Sequence, residues 1–236
     1  MGYEAIRADE LEGGVGFLML HRPEKRNAIS IAMRQEILAC LSAWREHEGI
    51  RAVIVTGAGA AFSAGFDLKE LQEPENFDAL LDSSSAYHRA VWSFPKPTIA
   101  AVNGVALGGG FDLAALCDIR ICAGDAAFGH PEIKLGAPPL FTPLRWIVGD
   151  GAARELCLSG RRIDAQEALR LRLVSEVVPP GALVERAKML AATILEAPAP
   201  AVQFTKRFFV ENTGLGFEES FAIEHDAAFR EILLRR

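Results

Sequence analysis

Hydrophobic and polar positions change from strand-like to helix-like spacing early in this chain. Two short β-like runs, residues 3–8 and 15–21, are separated by a glycine-containing turn signal. Ser30 is placed to cap a helix that extends to about Glu46, because apolar residues recur there every three or four positions. The pattern therefore predicts two strands joined by a turn and followed by an amphipathic helix.

Three later apolar runs have the continuous character of strands that are covered on both faces. They span residues 52–56, 98–102 and 118–122. Helical patterns lie between them, an order typical of an α/β fold with right-handed crossover connections. The polar, acidic segment 71–85 is expected to be a surface excursion.

The C-terminal part of the chain has a different pattern. Strand signals nearly vanish after Pro143, apart from a run at 173–178. Asp164 is expected to cap one short helix, and Pro180 to start another. A break at 198–200 precedes a last helical region that contains six phenylalanines. So many aromatic residues predict packing on the core or on a partner subunit.

Composition fits a folded chain with a substantial core and disfavours several classes of function. The 236 residues are 50% hydrophobic and 24% charged, with a formal net charge of −6. No basic run exceeds two residues, which argues against binding nucleic acid. No secretory signal or membrane span is visible, and the four cysteines form no CxxC pair. We therefore expect a cytoplasmic protein that contacts neither a membrane nor nucleic acid.

Several common functional motifs are incomplete in this sequence. The glycines at 57–59 lack the third glycine of a dinucleotide fingerprint, and those at 104–110 lack the Lys-Ser/Thr pair of a phosphate loop. Residues 61–65 half-match a nucleophile elbow but lack its first glycine. The five histidines show no HExxH or i, i+4 pairing, so no metal site is expected.

Two other segments, 61–68 and 103–113, each lead from a strand to a helix through small residues. The second contains three successive glycines, which are costly unless the backbone approaches a ligand. Peptide N–H groups at such a helix N-terminus can stabilise an oxyanion. Asp112 falls in the first turn of that helix, and Glu132 follows in a turn after a strand. Two carboxyls beside backbone donors suit proton transfer at a carbon next to a carbonyl.

Motifs spread over nearly the whole chain resemble those of the crotonase (enoyl-CoA hydratase/isomerase) superfamily. They are RPEKRNA (22–28), AFSAGFDL (61–68), KPTIAAVNG (96–104), GGGFDLA (108–114), CD (117–118), FGHPEI (128–133) and LSG (158–160). The resemblance implies an α/β fold of the crotonase type. It divides the chain into a repeated ββα spiral core over residues 1–195 and a C-terminal helical trimerisation region over 196–236.

The same resemblance implies an enoyl-CoA hydratase, which reversibly adds water to 2-enoyl-CoA thioesters through an oxyanion-stabilised enolate. The backbone N–H groups of Phe66 and Gly109 would form the oxyanion hole, and Asp112 and Glu132 would be the catalytic carboxyls, with Glu132 delivering the proton to C2. The residues implied in binding the substrate are Lys25, Arg26, Ala64, Phe66, Asp67, Leu68, Gly108, Leu140 and Phe141. No cofactor or metal is implied, since the coenzyme A thioester is the substrate. The implied assembly is a homotrimer or a dimer of trimers.

Two departures from the family pattern keep other reactions open. Asp112 stands where hydratases have glutamate, so its carboxyl is drawn back by one methylene. The loop at 138–145 is rich in proline where hydratases have glycine, which predicts a reshaped acyl pocket. Enoyl-CoA isomerisation, another acyl-CoA reaction such as decarboxylation or hydrolysis, and non-catalytic binding of acyl-CoA therefore remain alternatives.

Overall fold

Two β-sheets form the centre of the computed structural model, which describes residues 2–72, 77–212, 214–228 and 231. Six strands form one sheet in the order β1-β2-β3-β5-β7-β10, and four form the other in the order β4-β6-β8-β9. The strands are β1 Ile6–Leu11, β2 Val15–Leu20, β3 Ala52–Gly57, β4 Ala61–Ser63, β5 Thr98–Val102, β6 Val105–Leu107, β7 Ile119–Ala123, β8 Ala127–Gly129, β9 Arg162–Asp164 and β10 Glu176–Val178.

Helices connect and cover these sheets. The α-helices are α1 Ile31–Glu46, α2 Leu68–Leu71, α3 Phe77–Trp92, α4 Gly109–Leu116, α5 Phe141–Ser159, α6 Ala165–Arg170, α7 Leu183–Leu195, α8 Ala199–Glu211 and α9 Phe217–Phe221. Short 3₁₀ turns occupy Pro23–Lys25, Pro131–Leu135 and Pro180–Ala182, and a π-helical segment, Ala222–Ala227, follows α9.

The chain alternates between the two sheets in a repeated ββα spiral. Strands β3, β5 and β7 are parallel neighbours in the larger sheet, and each is followed by a short strand, β4, β6 or β8, in the smaller one. Helices α3 and α4 follow the first two of these pairs. The α/β spiral fold predicted from the sequence is confirmed.

Long apolar runs form the larger sheet because both of its faces are covered. Every residue of β3 and β5 is buried. One face packs against a core that includes α1, α3 and α4, and the other packs against α7. Ser30 caps α1 by accepting a hydrogen bond from the Met33 N–H, and Asp164 caps α6 by accepting one from Glu167. Both predicted caps are confirmed.

Two expectations differ from the structure. The segment 71–85 lies largely on the surface as predicted, but residues from 77 onwards belong to α3, and Ser83 within it is buried. Residues 73–76 lie outside the described residues. The sequence patterns also missed the smaller sheet, because strands of three residues are too short to display a period.

The region after α7 begins with α8, which is anchored to the core. Pro198 precedes its first turn, as the chain break predicted. The buried Lys206 of α8 forms an ion pair with Asp118 at the end of α4. Phe229, one of the aromatic residues expected in an interface, lies outside the described residues. The division at residue 196 remains a prediction.

Two smaller expectations concern the cysteines and the membrane. All four cysteines are buried with free thiols, as predicted for small apolar core residues. Within the described ranges, no helix combines the length and the apolar character needed to cross a bilayer.

Candidate active site

Three chain segments meet at one edge of the smaller sheet. They are the turn between β4 and α2, the N-terminus of α4, and the 3₁₀ turn after β8. Since β4, β6 and β8 are parallel neighbours, their carboxyl ends lie along the same edge, where ligands of parallel sheets bind. A cavity of about 390 Å³ opens there.

The cavity collects most of the residues that the sequence singled out. Eight of them line it: Ala64, Phe66, Leu68, Gly108, Gly109, Asp112, Glu132 and Leu140. The predicted residues Lys25, Arg26, Asp67 and Phe141 are not part of this lining. The sequence thus located the cavity but not all of its wall.

Two backbone N–H groups are oriented away from the sheet ladders. The Ile29 N–H donates to the Gly65 carbonyl, and the Asp67 N–H donates to the Ile29 carbonyl, so the N–H of Phe66 between them points to the opposite side. Gly109 opens α4, whose first intrahelical hydrogen bond runs from the Asp112 N–H to the Gly108 carbonyl. Its own N–H is therefore one of the unpaired donors of a helix N-terminus.

Two glycines permit the close approach of these segments. Gly108 has φ +50°, and a Cβ there would lie 3.0 Å from Oε2 of Glu132. A Cβ on Gly109 would lie 2.6 Å from the Phe66 ring. Any side chain at either position would push the glutamate or the phenylalanine out of place. The glycine run therefore brings the backbone donors and the Glu132 carboxyl together.

The two predicted catalytic carboxyls flank a single imidazole. His130 Nδ1 lies 2.8 Å from Glu132 Oε1, and His130 Nε2 lies 3.8 Å from Asp112 Oδ1. One donor atom from each of the three residues lies within 4.8 Å of the others. The place of His130 between the two carboxyls is a result of the fold.

Burial makes the two carboxyls unequal. Asp112 is only 7% exposed, and desolvation raises its pKa to about 7; the nearby His130 lowers the pKa and Glu132 raises it further. Glu132 is half-buried, and its Oε2 has no hydrogen-bond partner among the described residues. A carboxyl that can gain or lose its proton near neutral pH is suited to general acid–base catalysis.

The basic residues and Asp67 lie beside the cavity. Lys25 and Arg26 are exposed, and the Arg26 carbonyl accepts a hydrogen bond from the Ala64 N–H in the cavity wall. Asp67 caps α2 and forms an ion pair with Arg22 at 3.0 Å. The Asp67 carboxylate is therefore engaged within the protein, whereas both basic side chains face solvent.

Sequence reasoning missed the part of the wall that α2, α3 and the loop before α5 contribute. These residues are Leu71, Ser84, His88, Leu135 and Ala137, whereas Pro138 belongs to the loop that the sequence already assigned to the acyl pocket. The amphipathic spacing of 77–92 is the signal that could have placed Ser84 and His88 on an inward helical face. The leucines give this side of the cavity an apolar surface.

Known proteins resemble this chain over most of its length. The family model described as enoyl-CoA hydratase/isomerase matches residues 10–230. The crotonyl-CoA hydratase of Syntrophomonas wolfei is 36% identical over 236 residues, which cover 96% of this chain and 89% of that protein. The crystal structure of the enoyl-CoA hydratase of Bacillus anthracis superposes with a TM-score of 0.93 at 33% identity, covering 98% of this chain and 92% of that one.

A second similar structure was solved with a bound ligand. The protein of Thermobifida fusca YX that was solved in complex with CoA has a TM-score of 0.88 and 31% identity, with coverage of 98% of this chain and 94% of that one. Fold and extended sequence identity agree across these comparisons. The chain belongs to the enoyl-CoA hydratase/isomerase family.

Proposed function

We propose that this chain is an enoyl-CoA hydratase that reversibly adds water across the C2–C3 double bond of 2-enoyl-CoA thioesters. One observation carries the proposal: Asp112 and Glu132 flank one imidazole and line the same cavity as Phe66 and Gly109, whose N–H groups are unpaired within the backbone. Hydration needs these two sets of groups together, because it creates an enolate oxygen and moves protons at the same time.

In the proposed mechanism, the N–H groups of Phe66 and Gly109 bind the thioester carbonyl oxygen. Water adds through its oxygen to C3 while the electron pair of the double bond moves towards that carbonyl, which becomes an enolate oxygen. Asp112 accepts the proton that the water loses, and Glu132 gives a proton to C2 as the enolate collapses. One water is consumed, and its lost proton replaces the one that Glu132 donates.

The coenzyme A portion is assigned to the side of the cavity next to Arg26. The extended backbone around Ala64 and Leu68 would contact the adenine, and the exposed Lys25 and Arg26 would face the phosphates. Binding of CoA by the related Thermobifida fusca protein supports this assignment. The apolar wall formed by leucines such as Leu71 and Leu135 would receive the acyl chain. The substrate is the only CoA species required, and no cofactor or metal is assigned.

Isomerisation of a 3-enoyl-CoA is a second candidate, and the short Asp112 favours it. Moving a double bond requires one well-placed base rather than two carboxyls on a water, so it tolerates a carboxyl drawn back by one methylene. Asp112→Glu restores the longer side chain. A hydratase should hydrate crotonyl-CoA at least as fast with this substitution, whereas an isomerase should lose activity on 3-hexenoyl-CoA.

We also propose that the chain assembles as a trimer or a dimer of trimers through its region 196–236. Large apolar side chains remain exposed in this region, namely Phe209, Leu215 and Phe221. Exposed apolar groups of this size are typical of subunit interfaces. Sedimentation equilibrium at micromolar concentration tests this, and a monomer would contradict it.

Hydration of crotonyl-CoA, followed by the loss of enoyl-thioester absorbance, tests the proposed reaction. Glu132→Gln should reduce kcat by a factor of about 10³ or more and leave butyryl-CoA binding nearly unchanged, because the amide keeps the shape but cannot donate the proton. Glu185→Gln, a change at an exposed glutamate of α7, is the matched control and should keep full activity. A Glu132→Gln variant with most of its hydration rate would contradict the assignment of Glu132.

A further inference from the structure

The imidazole of His130 is held firmly between the two carboxyls. Its side chain is 2% exposed, and the Phe111 ring stacks on it with centroids 4.7 Å apart and an interplanar angle of 26°. Nδ1 lies 2.8 Å from Glu132 and Nε2 lies 3.8 Å from Asp112. The ring therefore presents one nitrogen to each carboxyl and is enclosed on its face.

The imidazole has fewer protons than this arrangement requires. A neutral imidazole has one N–H, but both of its nitrogens face a carboxyl oxygen. If both carboxyls were ionised, one ring lone pair would face a carboxylate oxygen inside the protein, with no proton between them. One additional proton on Asp112, on Glu132 or on the ring removes the conflict. The three groups then carry a net charge of −1.

We propose that His130 is a positioning residue that joins Asp112 and Glu132 into one proton-sharing unit. The inference rests on the proposed hydration, which needs Asp112 ionised and Glu132 protonated. The unit reaches that state by an internal shift: Nε2 and Oδ1 of Asp112 close from 3.8 Å to hydrogen-bond distance, a proton passes from the Asp112 carboxyl to Nε2, and the Nδ1 proton passes to Oε1 of Glu132. No proton is gained from or lost to solvent, and the net charge does not change.

The ring also fixes the orientation of the Glu132 carboxyl. Oε1 is held by His130, whereas Oε2 lies over Gly108 without a hydrogen-bond partner among the described residues. A carboxyl that is held at Oε1 and enclosed at Oε2 cannot rotate freely, so the oxygen that receives the shared proton keeps a fixed position at the cavity. Without the ring, Glu132 would lose both its orientation and its link to Asp112.

Two titratable groups outside the unit, Tyr87 and Cys157, have pKa values that burial and Asp112 raise, and both are neutral at pH 7. Burial raises the pKa of the Tyr87 hydroxyl on α3 well above 10, and the nearby Asp112 adds to this. Burial likewise raises the pKa of the Cys157 thiol on α5 to about 11, with Asp112 and Glu132 contributing. The charge on the unit is therefore set by its own three members. Burial also raises the pKa of Asp112 to about 7, which is consistent with a proton retained near neutral pH.

Two substitutions separate the contacts that His130 makes. His130→Leu removes both, whereas His130→Asn keeps an N–H that can donate to Glu132 and removes the contact to Asp112. We expect His130→Leu to lower kcat for crotonyl-CoA by about 100-fold with KM changed less than about threefold. His130→Asn should recover about tenfold of that loss. Since His130 lowers the pKa of Asp112, the limb near pH 7 of the kcat/KM profile should move to higher pH in His130→Asn.

The control is His47→Asn, a change at an exposed histidine after α1, which should leave kcat and the pH profile unchanged. The inference is overturned if His130→Leu keeps kcat within about threefold of the wild type. It is also overturned if His130→Asn loses as much as His130→Leu and its pH limb does not move. Butyryl-CoA binding checks that each variant is folded.

Nitrogen-15 NMR of histidine-labelled wild type tests the unit without relying on turnover or on folded variants. The chain has five histidines, and the His130 signals are those that Glu132→Gln displaces. We expect both ring nitrogens to show partial protonation at pH 7 and to shift together as the shared proton leaves. A fixed neutral tautomer from pH 6 to pH 9 would overturn the inference. A wild type that shares the proton but does not hydrate crotonyl-CoA would defeat only the proposed function.

Discussion

Asp112 lies in the first turn of α4 and Asp118 lies between the end of α4 and β7, and the two carboxyls have opposite surroundings. Asp118 accepts hydrogen bonds from the Thr98 N–H at 2.8 Å and the Thr98 hydroxyl at 3.0 Å, and it pairs with the buried Lys206. Asp112 is more buried, yet among the described residues its carboxyl has only His130 at 3.8 Å as a charged partner.

The difference separates a structural carboxylate from a reactive one. Partners stabilise the charge of Asp118, so that residue can tie β5, α4 and α8 together. The charge of Asp112 is poorly compensated, so its proton is held more tightly and remains available for transfer. Helix position alone does not distinguish the two, since the distinction comes from what the fold places around each carboxyl.

The largest expected effect is on activity. Asp112→Asn should lower kcat for crotonyl-CoA by a factor of about 10²–10³, because the amide cannot accept the proton from water. Asp118→Asn should change kcat less than about threefold at 25 °C, since its carboxyl lies outside the cavity. Steady-state hydration assays on both variants measure this, and equal losses would show that the comparison is wrong.

Stability should respond in the opposite order. Asp118→Asn leaves the buried charge of Lys206 without its partner and should cost about 3–5 kcal/mol of unfolding free energy. Asp112→Asn should leave stability equal or higher at pH 8, because it removes a poorly compensated buried charge. Urea unfolding followed by tryptophan fluorescence provides both numbers. A large loss in Asp112→Asn alone would reverse the proposed roles.

The pH dependence of stability sharpens the comparison further. Folding raises the pKa of Asp112 from its ordinary 3.8 to about 7, so between these values the folded chain binds more protons than the unfolded one. The contribution of Asp112 to stability therefore falls as pH rises from about 4 to about 7, by about 1.4 kcal/mol per unit, and is constant above. The stability difference between Asp112→Asn and the wild type should grow in the variant's favour over that range. A difference independent of pH would contradict the raised pKa.

The smallest effect is expected at the exposed basic residues. Lys25→Ala and Arg26→Ala should each raise KM for crotonyl-CoA about two- to fivefold and leave kcat unchanged, because exposed charge pairs contribute at most about 1 kcal/mol. The increase should shrink at high salt and disappear with a pantetheine thioester, which lacks the adenosine phosphates. An equal increase with the pantetheine thioester would exclude a phosphate contact.

The sequence by itself determined the buried strands and the helix caps. A continuous apolar run such as Ala52–Gly57 identifies a strand that is buried on both faces, whichever elements cover it. Ser30 and Asp164 cap helices through hydrogen bonds to residues only three positions away. Together with the family motifs, these signals were sufficient for the fold class and for half of the cavity lining. Each rests on neighbours in sequence or on a pattern shared by the whole family.

Tertiary structure decided what depends on neighbours in space. Three-residue strands such as Ala61–Ser63 form because the larger sheet brings them side by side, since they are too short to show a period. The raised pKa of Asp112 and the position of His130 arise because the fold buries the N-terminus of α4 against the turn after β8. Desolvation and charge–charge interactions depend on three-dimensional distance, so the sequence identified the candidate carboxyls and only the fold set their electrostatic environment.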